Sequence, residues 1–225
     1  MGTAYTNNME NSESAQIIIG DFCFFGGMPE EKLVKHKPEF LKSDFIIMIP
    51  QNEKWSELIE KVYDVRAKKV ERYALKKEKD VFNKEKLQKI VDGLKEPYEI
   101  KMIDKEIYIQ IQKSEWAGDL CSQFKDYQDY KFRGIGAAVL KNGEIVSGAS
   151  SYTVYNEGIE IEIDTKIDER RRGLASVCGA KLILACLNKN LYPSWDAQNK
   201  WSLALAEKLG YHFDKAYTAY EITEY

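Results

Sequence analysis

The sequence predicts an α/β protein in two parts: a smaller α/β unit over residues 1–95 and a larger unit of strands and helices over residues 96–225. Three observations predict it. Strand-like and helix-spaced segments alternate through the first part and stop at Pro97. Asn142-Gly143 separates two apolar runs, the signal of a tight hairpin. Apolar residues then recur at every second position through 158–165, and an arginine-rich turn leads into a long apolar helix.

In the first part, residues 1–14 are expected to be disordered or loosely docked. Residues 17–25 form an apolar run closed by Gly26-Gly27, read as one buried strand and a turn. Pro29 opens a helical stretch with Leu33 and Val34 on its apolar face, extended toward Phe40 and Leu41. Residues 45–49 are a short strand ended by Pro50. Trp55, Leu58, Ile59 and Val62 recur at helix spacing across 53–63. Residues 65–75 read as strand, and Asn83 caps a helix carrying Leu87, Ile90, Val91 and Leu94.

In the second part, residues 98–103 read as strand and Asp104 as a helix cap. Ile107, Ile109 and Ile111 alternate, however, so a strand competes with that helix. Residues 116–124 read as a further helix. Residues 135–140 and 144–155 are the arms of a type I′ hairpin, whose two central residues must both accept positive φ. Along 158–165, Ile159, Ile161 and Ile163 line one face and Glu160, Glu162 and Asp164 the other. The charged turn 168–172 leads through Gly173 into a helix over 174–187. Residues 193–196 give a short strand, Asn199 caps a helix to Leu209, Gly210 stops it, and 211–222 close the sheet.

Composition narrows the chemistry. Hydrophobic residues are 44% of 225, enough for a sizeable core, and the formal net charge of −3 gives no reason to expect nucleic acid. A basic stretch over 61–95 is interrupted by Asp64, Glu71, Glu78, Asp80 and Glu85, the pattern of a solvated face. Cys23, Cys121, Cys178 and Cys186 stand apart, which argues against a zinc knuckle and a redox pair. Buried free thiols in a reducing cytoplasm are expected, with a lone disulfide as the alternative. The polar start lacks an apolar signal core and the apolar runs are too short to span a bilayer, so a cytoplasmic protein with no membrane partner is expected. The only histidines, His36 and His212, exclude a three-histidine metal site, and neither sits beside a nucleophile. No metal is predicted. The chemistry must run on carboxylates, tyrosines, backbone groups or the substrate.

The segment Arg170-Arg171-Arg172-Gly173-Leu174-Ala175 suits a pyrophosphate. A helix start has unpaired N–H groups and partial positive charge. Gly173 lets the backbone approach closely, Ala175 keeps the helix wall thin, and the arginines add permanent charge. A solvated basic turn is the plainer alternative. Further on, Asn199-Lys200-Trp201-Ser202 opens a helix that ends Glu207-Lys208-Leu209-Gly210-Tyr211.

These segments, with the order of elements, resemble the GNAT superfamily of N-acetyltransferases over residues 96–225. Arg170, Gly173 and Ala175 match that family's phosphate-binding signature; Asn199 and Glu207 through Tyr211 match its later helix. The strings Glu162-Ile163-Asp164-Thr165, Tyr192-Pro193-Ser194-Trp195-Asp196 and Ala204 through Tyr211 are similar to one subgroup, the zwittermicin A resistance acetyltransferase. The resemblance implies a mixed, mostly antiparallel central sheet flanked by helices, and transfer of acetyl from acetyl-coenzyme A, as cosubstrate, to an amine of a small molecule. Backbone N–H groups of Arg171, Arg172, Gly173, Leu174 and Ala175 would hold the pyrophosphate. The pantetheine arm would pair along the edge of the strand from Ile161 to Thr165, with the N–H near Ile163 polarising the thioester carbonyl. Asn199 and Ser202 would line the cofactor's other side. Glu162, then Glu160, is expected as general base. The family's usual acid, a tyrosine just before Glu-Lys-Leu-Gly, is Ala206 here, so a non-catalytic acetyl-coenzyme A sensor is the competing reading. A homodimer is left open.

Overall fold

The structure, a computed structural model, describes residues 1–225. In chain order the elements are β1 (Thr3–Thr6), β2 (Ser14–Ile19), β3 (Phe22–Gly27), α1 (Glu31–Lys35), β4 (Phe45–Ile49), α2 (Glu53–Tyr63), β5 (Ala67–Leu75), α3 (Lys84–Asp92), β6 (Tyr98–Met102), α4 (Lys105–Gln112), α5 (Tyr127–Arg133), β7 (Gly136–Lys141), β8 (Glu144–Tyr155), β9 (Gly158–Thr165), α6 (Leu174–Asn188), β10 (Tyr192–Ser194), β11 (Asp196–Ala197), α7 (Lys200–Leu209) and β12 (Phe213–Thr223). They fall into two units, Met1–Arg72 with Ala216–Tyr225, and Tyr73–Lys215. The change of unit therefore falls inside β5 and β12. Residues 73–95, expected with the N-terminal part, lie in the second unit, where Leu87 and Val91 of α3 share a core with α6.

In the first unit the strand order is β1-β2-β3-β4-β12-β5, with β3 and β4 parallel. The apolar run at 17–25 is a hairpin, not one strand: Gly20, at φ 59°, and Asp21 turn the chain between β2 and β3. Residues 3–6, expected to be loose, pair antiparallel with β2. Helix α1 stops at Lys35 and leaves Phe40 exposed, so the apolar stripe does not continue to it. Trp55 of α2 is fully buried, stacked on Phe25 at 4.7 Å between centroids. Its indole N–H donates to the Gly27 carbonyl at 3.0 Å, so the ring is buried with its one polar atom satisfied.

The second unit is built on the sheet β10-β9-β8-β7-β6, antiparallel except for β10 on β9. Asn142 (φ 53°) and Gly143 (φ 82°) make the expected turn between β7 and β8. Helix α6 packs on one face, burying Val177, Cys178, Leu182 and Ile183 with Val139, Ile159 and Ile161. The other face meets Ile107 and Ile111 of α4, Leu120, Phe124 and Tyr130. The helix over 105–112 is settled by its cap, since Asp104 accepts the Ile107 N–H at 3.0 Å, and by Ile109 facing outward at 41% exposure. Residues 116–124 hold only a short turn, Gly118–Leu120. The helix forms later, where the Asp126 side chain accepts the Asp129 N–H at 2.9 Å. The closing segment is one long strand, β12. All four cysteines are free and buried. No helix is long and apolar enough to cross a membrane.

Candidate functional site

Helix α6 begins without a side chain to cap it. Gly173 stands at its N-cap in the left-handed conformation, φ 81° and ψ 2°. The first-turn amides of α6 therefore have no partner within the helix and none from the cap. Arg171 is left-handed too, at φ 62°. A Cβ placed at Gly173 would meet nothing within 4 Å, so glycine answers here to the backbone angle and leaves open space before the amides. Leu174 is buried and offers only its backbone, while Ala175 is half-buried.

The three arginines have different surroundings. Arg171 lies 5.7 Å over the exposed ring of Trp201. Arg170 donates from Nε to the Thr165 carbonyl at 3.1 Å and reaches Asp164 at 3.5 Å. Arg172 pairs with Glu169 at 3.0 Å. Glu169 ties the turn down. Its side chain is only 10% exposed and accepts from Lys141 Nζ and Tyr98 Oη, each at 2.6 Å. The Lys141 bond first, then the Tyr98 bond, holds its carboxyl below the usual glutamate range. From α7, Lys208 Nζ donates to Ser176 in the first turn of α6 at 3.1 Å. Sequence reasoning missed both. Glu169 read as one more charge in a charged turn, and Lys208 as part of a helix ending.

The second element of the site is the edge of β9. Strand β10 pairs with β9 only at Gly158, Ile159 and Glu160, and after Trp195 the chain leaves to join β5 as β11, opposite Tyr73 and Ala74. One side of β9 is therefore unpaired from Ile161 to Thr165. The Lys166 N–H donates to Val146 on β8. Because successive amides of a strand point to opposite sides, the backbone groups of Ile163 and Thr165 face the open edge. The Thr165 N–H already donates to the Asp164 carboxylate at 2.6 Å and its carbonyl accepts from Arg170, while its hydroxyl is turned inward onto Ser147.

The carboxylates stand on the face of β9 opposite α6. Glu162 lies across from Ser150 of β8, whose hydroxyl bonds Tyr130 at 2.9 Å. Glu160 lies across from Ser194 at the last paired position, where β10 departs. Lys77 pairs with Glu160 at 3.6 Å and also sits 5.1 Å over the Tyr155 ring, while the Tyr155 hydroxyl bonds Ser194 at 2.7 Å. Burial raises the Glu160 carboxyl above its usual range; Lys77 opposes this and the neighbouring Asp196 adds to it. Glu160 thus holds a proton more readily than a surface glutamate, as a base near neutrality must.

The position of the missing acid is occupied by packing. Ala206 is wholly buried, and the nearby Tyr211 is a core residue whose hydroxyl donates to the Pro193 carbonyl. Asn199 uses its side-chain oxygen to cap α7, accepting the Ser202 N–H at 2.9 Å. No group of three or more His, Cys, Asp or Glu side chains is disposed to hold a metal ion. A separate groove of about 600 Å³ lies between α3 and the C-terminal half of α6, rimmed by Lys84, Lys181 and Lys189.

An uncapped helix head beside an unpaired strand edge is the arrangement the sequence resemblance leads one to expect, and comparison with known proteins addresses the family. A family model described as GNAT acetyltransferase matches residues 1–220. The chain belongs to that family. The match takes in the first 95 residues as well as the stretch from 96 onward that carries the sequence motifs. A crystal structure of a GCN5-related N-acetyltransferase-like protein from Streptococcus suis is 45% identical, covers 99% of this chain and 88% of its own, and superposes with a TM-score of 0.92. The uncharacterized N-acetyltransferase YdfB of Bacillus subtilis is 36% identical over 90 residues, 39% of this chain. The match spans about a third of that protein, 34% of its length. A GCN5-related N-acetyltransferase from Kribbella flavida, at 11% identity and TM-score 0.58 over 94% of this chain and 86% of its own, shares the fold. Acetyl transfer is the chemistry these relationships support in general.

Proposed function

We propose that this chain is an N-acetyltransferase that moves acetyl from acetyl-coenzyme A to an amine of a small molecule. The observation that carries the reading is the pairing of the left-handed Gly173 at an uncapped helix head with the unpaired edge of β9. The amides from Arg171 to Ala175 would take the pyrophosphate, reinforced by the side chains of Arg170, Arg171 and Lys208. Arg172 supports the turn through Glu169. The pantetheine arm would lie along the open edge, with the Ile163 N–H facing the thioester oxygen as a donor for developing negative charge. Asn199 and Ser202, at the head of α7, would border the cofactor, the cap itself using the Asn199 oxygen.

Glu160 and Glu162 share the face from which an amine would approach, and either carboxylate could take its proton. Protonation of the departing thiolate falls to water or to the amine's own second proton, since Ala206 carries no acid. The subgroup resemblance supports a small amino-bearing acceptor of the zwittermicin type. The same buried Ala206 favours a second reading, a sensor that binds acetyl-coenzyme A without transferring it.

Calorimetry with coenzyme A, followed by thiol release from acetyl-coenzyme A against a panel of amines, separates the two. Turnover that falls ~100-fold or more in Glu160→Gln or Glu162→Gln with cofactor affinity kept supports the enzyme. Binding without turnover on any amine supports the sensor, and no binding defeats both.

A further inference from the structure

We infer that Lys77 is an internal acceptor, acetylated on its ε-amine by the chain's own bound acetyl-coenzyme A. The inference rests on the cofactor reading above and names one amine for that site. Its basis is where Lys77 sits. Glu160 is the last residue of β9 that β10 still pairs, so its carboxylate marks the closed end of the unpaired edge. With the thioester oxygen on the Ile163 N–H, as proposed above, the reacting carbon lies about three strand steps from Glu160, ~10 Å at ~3.3 Å each. The acetyl end of the cofactor therefore points along the open edge toward Glu160. An ammonium is already there. Lys77 Nζ lies 3.6 Å from Glu160 Oε1 and 5.1 Å over the Tyr155 ring, in a site of carboxylate and aromatic face that suits an ammonium. Asp196 adds a second negative charge near Glu160. The Lys77 side chain is 62% exposed, so it is free to swing from Glu160 along the open edge toward the thioester.

The step balances without another reactant. The Lys77 ammonium gives one proton to the Glu160 carboxylate, and its nitrogen attacks the thioester carbonyl carbon. A C–N bond forms and the C–S bond breaks. The nitrogen's second proton goes to the departing thiolate, so the products are an acetamide, free coenzyme A thiol and one proton released from Glu160 to water. The amide no longer carries a charge to pair with Glu160.

The full chain is incubated with acetyl-coenzyme A and no added amine, and Lys76, Lys77 and Lys79 are read separately by peptide mass spectrometry. These three lysines are all exposed, which makes two of them internal controls for uncatalysed acetylation. Lys77 is expected to be marked at least ~10-fold faster than either neighbour, at a rate per molecule independent of protein concentration. Glu160→Gln should slow the Lys77 mark roughly 100-fold and leave the other two unchanged. Gly173→Glu, remote from Lys77, should abolish the selectivity if the glutamine variant fails to fold. Equal marking of the three lysines, with acetyl-coenzyme A binding intact by calorimetry, overturns the inference and spares the cofactor reading. No binding of acetyl-coenzyme A overturns both.

Discussion

Helices α6 and α7 stand in the same unit and begin in opposite ways. At α7, Asn199 turns its side chain back and accepts the Ser202 N–H at 2.9 Å. At α6, the longer helix, the corresponding place holds a left-handed glycine with nothing to offer and open space in front of it. Helices α2, α3, α4 and α5 follow the α7 pattern, sealed by Asn52, Asn83, Asp104 and Asp126. The five-residue α1 also lacks a side-chain cap, at Glu30, but among the helices of seven or more residues only α6 starts bare, which leaves its amides open to the oxygen that the proposed pyrophosphate would bring. The missing cap, together with the left-handed Gly173 and the open space before it, is what marks α6 as the candidate ligand-binding helix.

The largest expected effect breaks the contrast directly. Gly173→Glu puts a carboxylate where a phosphate would lie and forces a side chain into a left-handed position. Coenzyme A affinity should fall on the order of 100-fold, because a charge-assisted hydrogen bond gives way to repulsion between two anions. Unchanged affinity by calorimetry would place the cofactor elsewhere. Next, Glu169→Gln removes the ionised anchor shared by Lys141, Tyr98 and Arg172. The arginine turn should loosen and affinity drop roughly 10-fold, about the 1.4 kcal/mol that tenfold represents, while Gly173 itself stays intact.

Asn199→Ala tests the other side of the comparison. It should cost about 1 kcal/mol of stability, a few degrees of melting temperature, with a far smaller loss of cofactor affinity than Gly173→Glu. A loss as large as that of Gly173→Glu would mean both helix heads face the ligand equally. The smallest effect concerns α5, whose head is sealed twice. Asp126 accepts the Asp129 N–H, and Asp129 accepts the Lys125 N–H at 3.0 Å while holding Arg133 with two bonds of 2.6 Å. The Arg133 bonds lead in lowering the Asp129 carboxyl to about 2. Its native value lies below the unfolded one, so its contribution is complete above ~3.9 and disappears as pH falls through about 2. Asp129→Asn should therefore lower the melting temperature slightly at neutral pH and make no difference below pH ~2 in thermal melts.

Local chemistry made much of this legible in the sequence. Asn142-Gly143 dictates its own turn, Asn83, Asp104 and Asn199 cap the helices that follow them, and Gly173 marks the head of α6. What stayed hidden depends on partners distant in the chain. The turn at Gly20-Asp21 sits between two apolar strands with too little polar signal to divide them. The open edge of β9 exists because β11 pairs with β5 instead, a fact about strands more than a hundred residues apart. Glu169 gains its meaning only when Tyr98 and Lys141 reach it from β6 and β7, and Lys77 only when Glu160 and Tyr155 close around it. The unit boundary was also unreadable, since β5 and β12 each continue through it as unbroken strands.

The most direct measurement is residue-resolved amide hydrogen exchange with and without coenzyme A. Protection of Ile163 and of Gly173 through Ser176, with the head of α7 and the α3–α6 groove little changed, is the expected result. Protection confined to α7 or to the groove, with the α6 amides exchanging as before, would contradict the account.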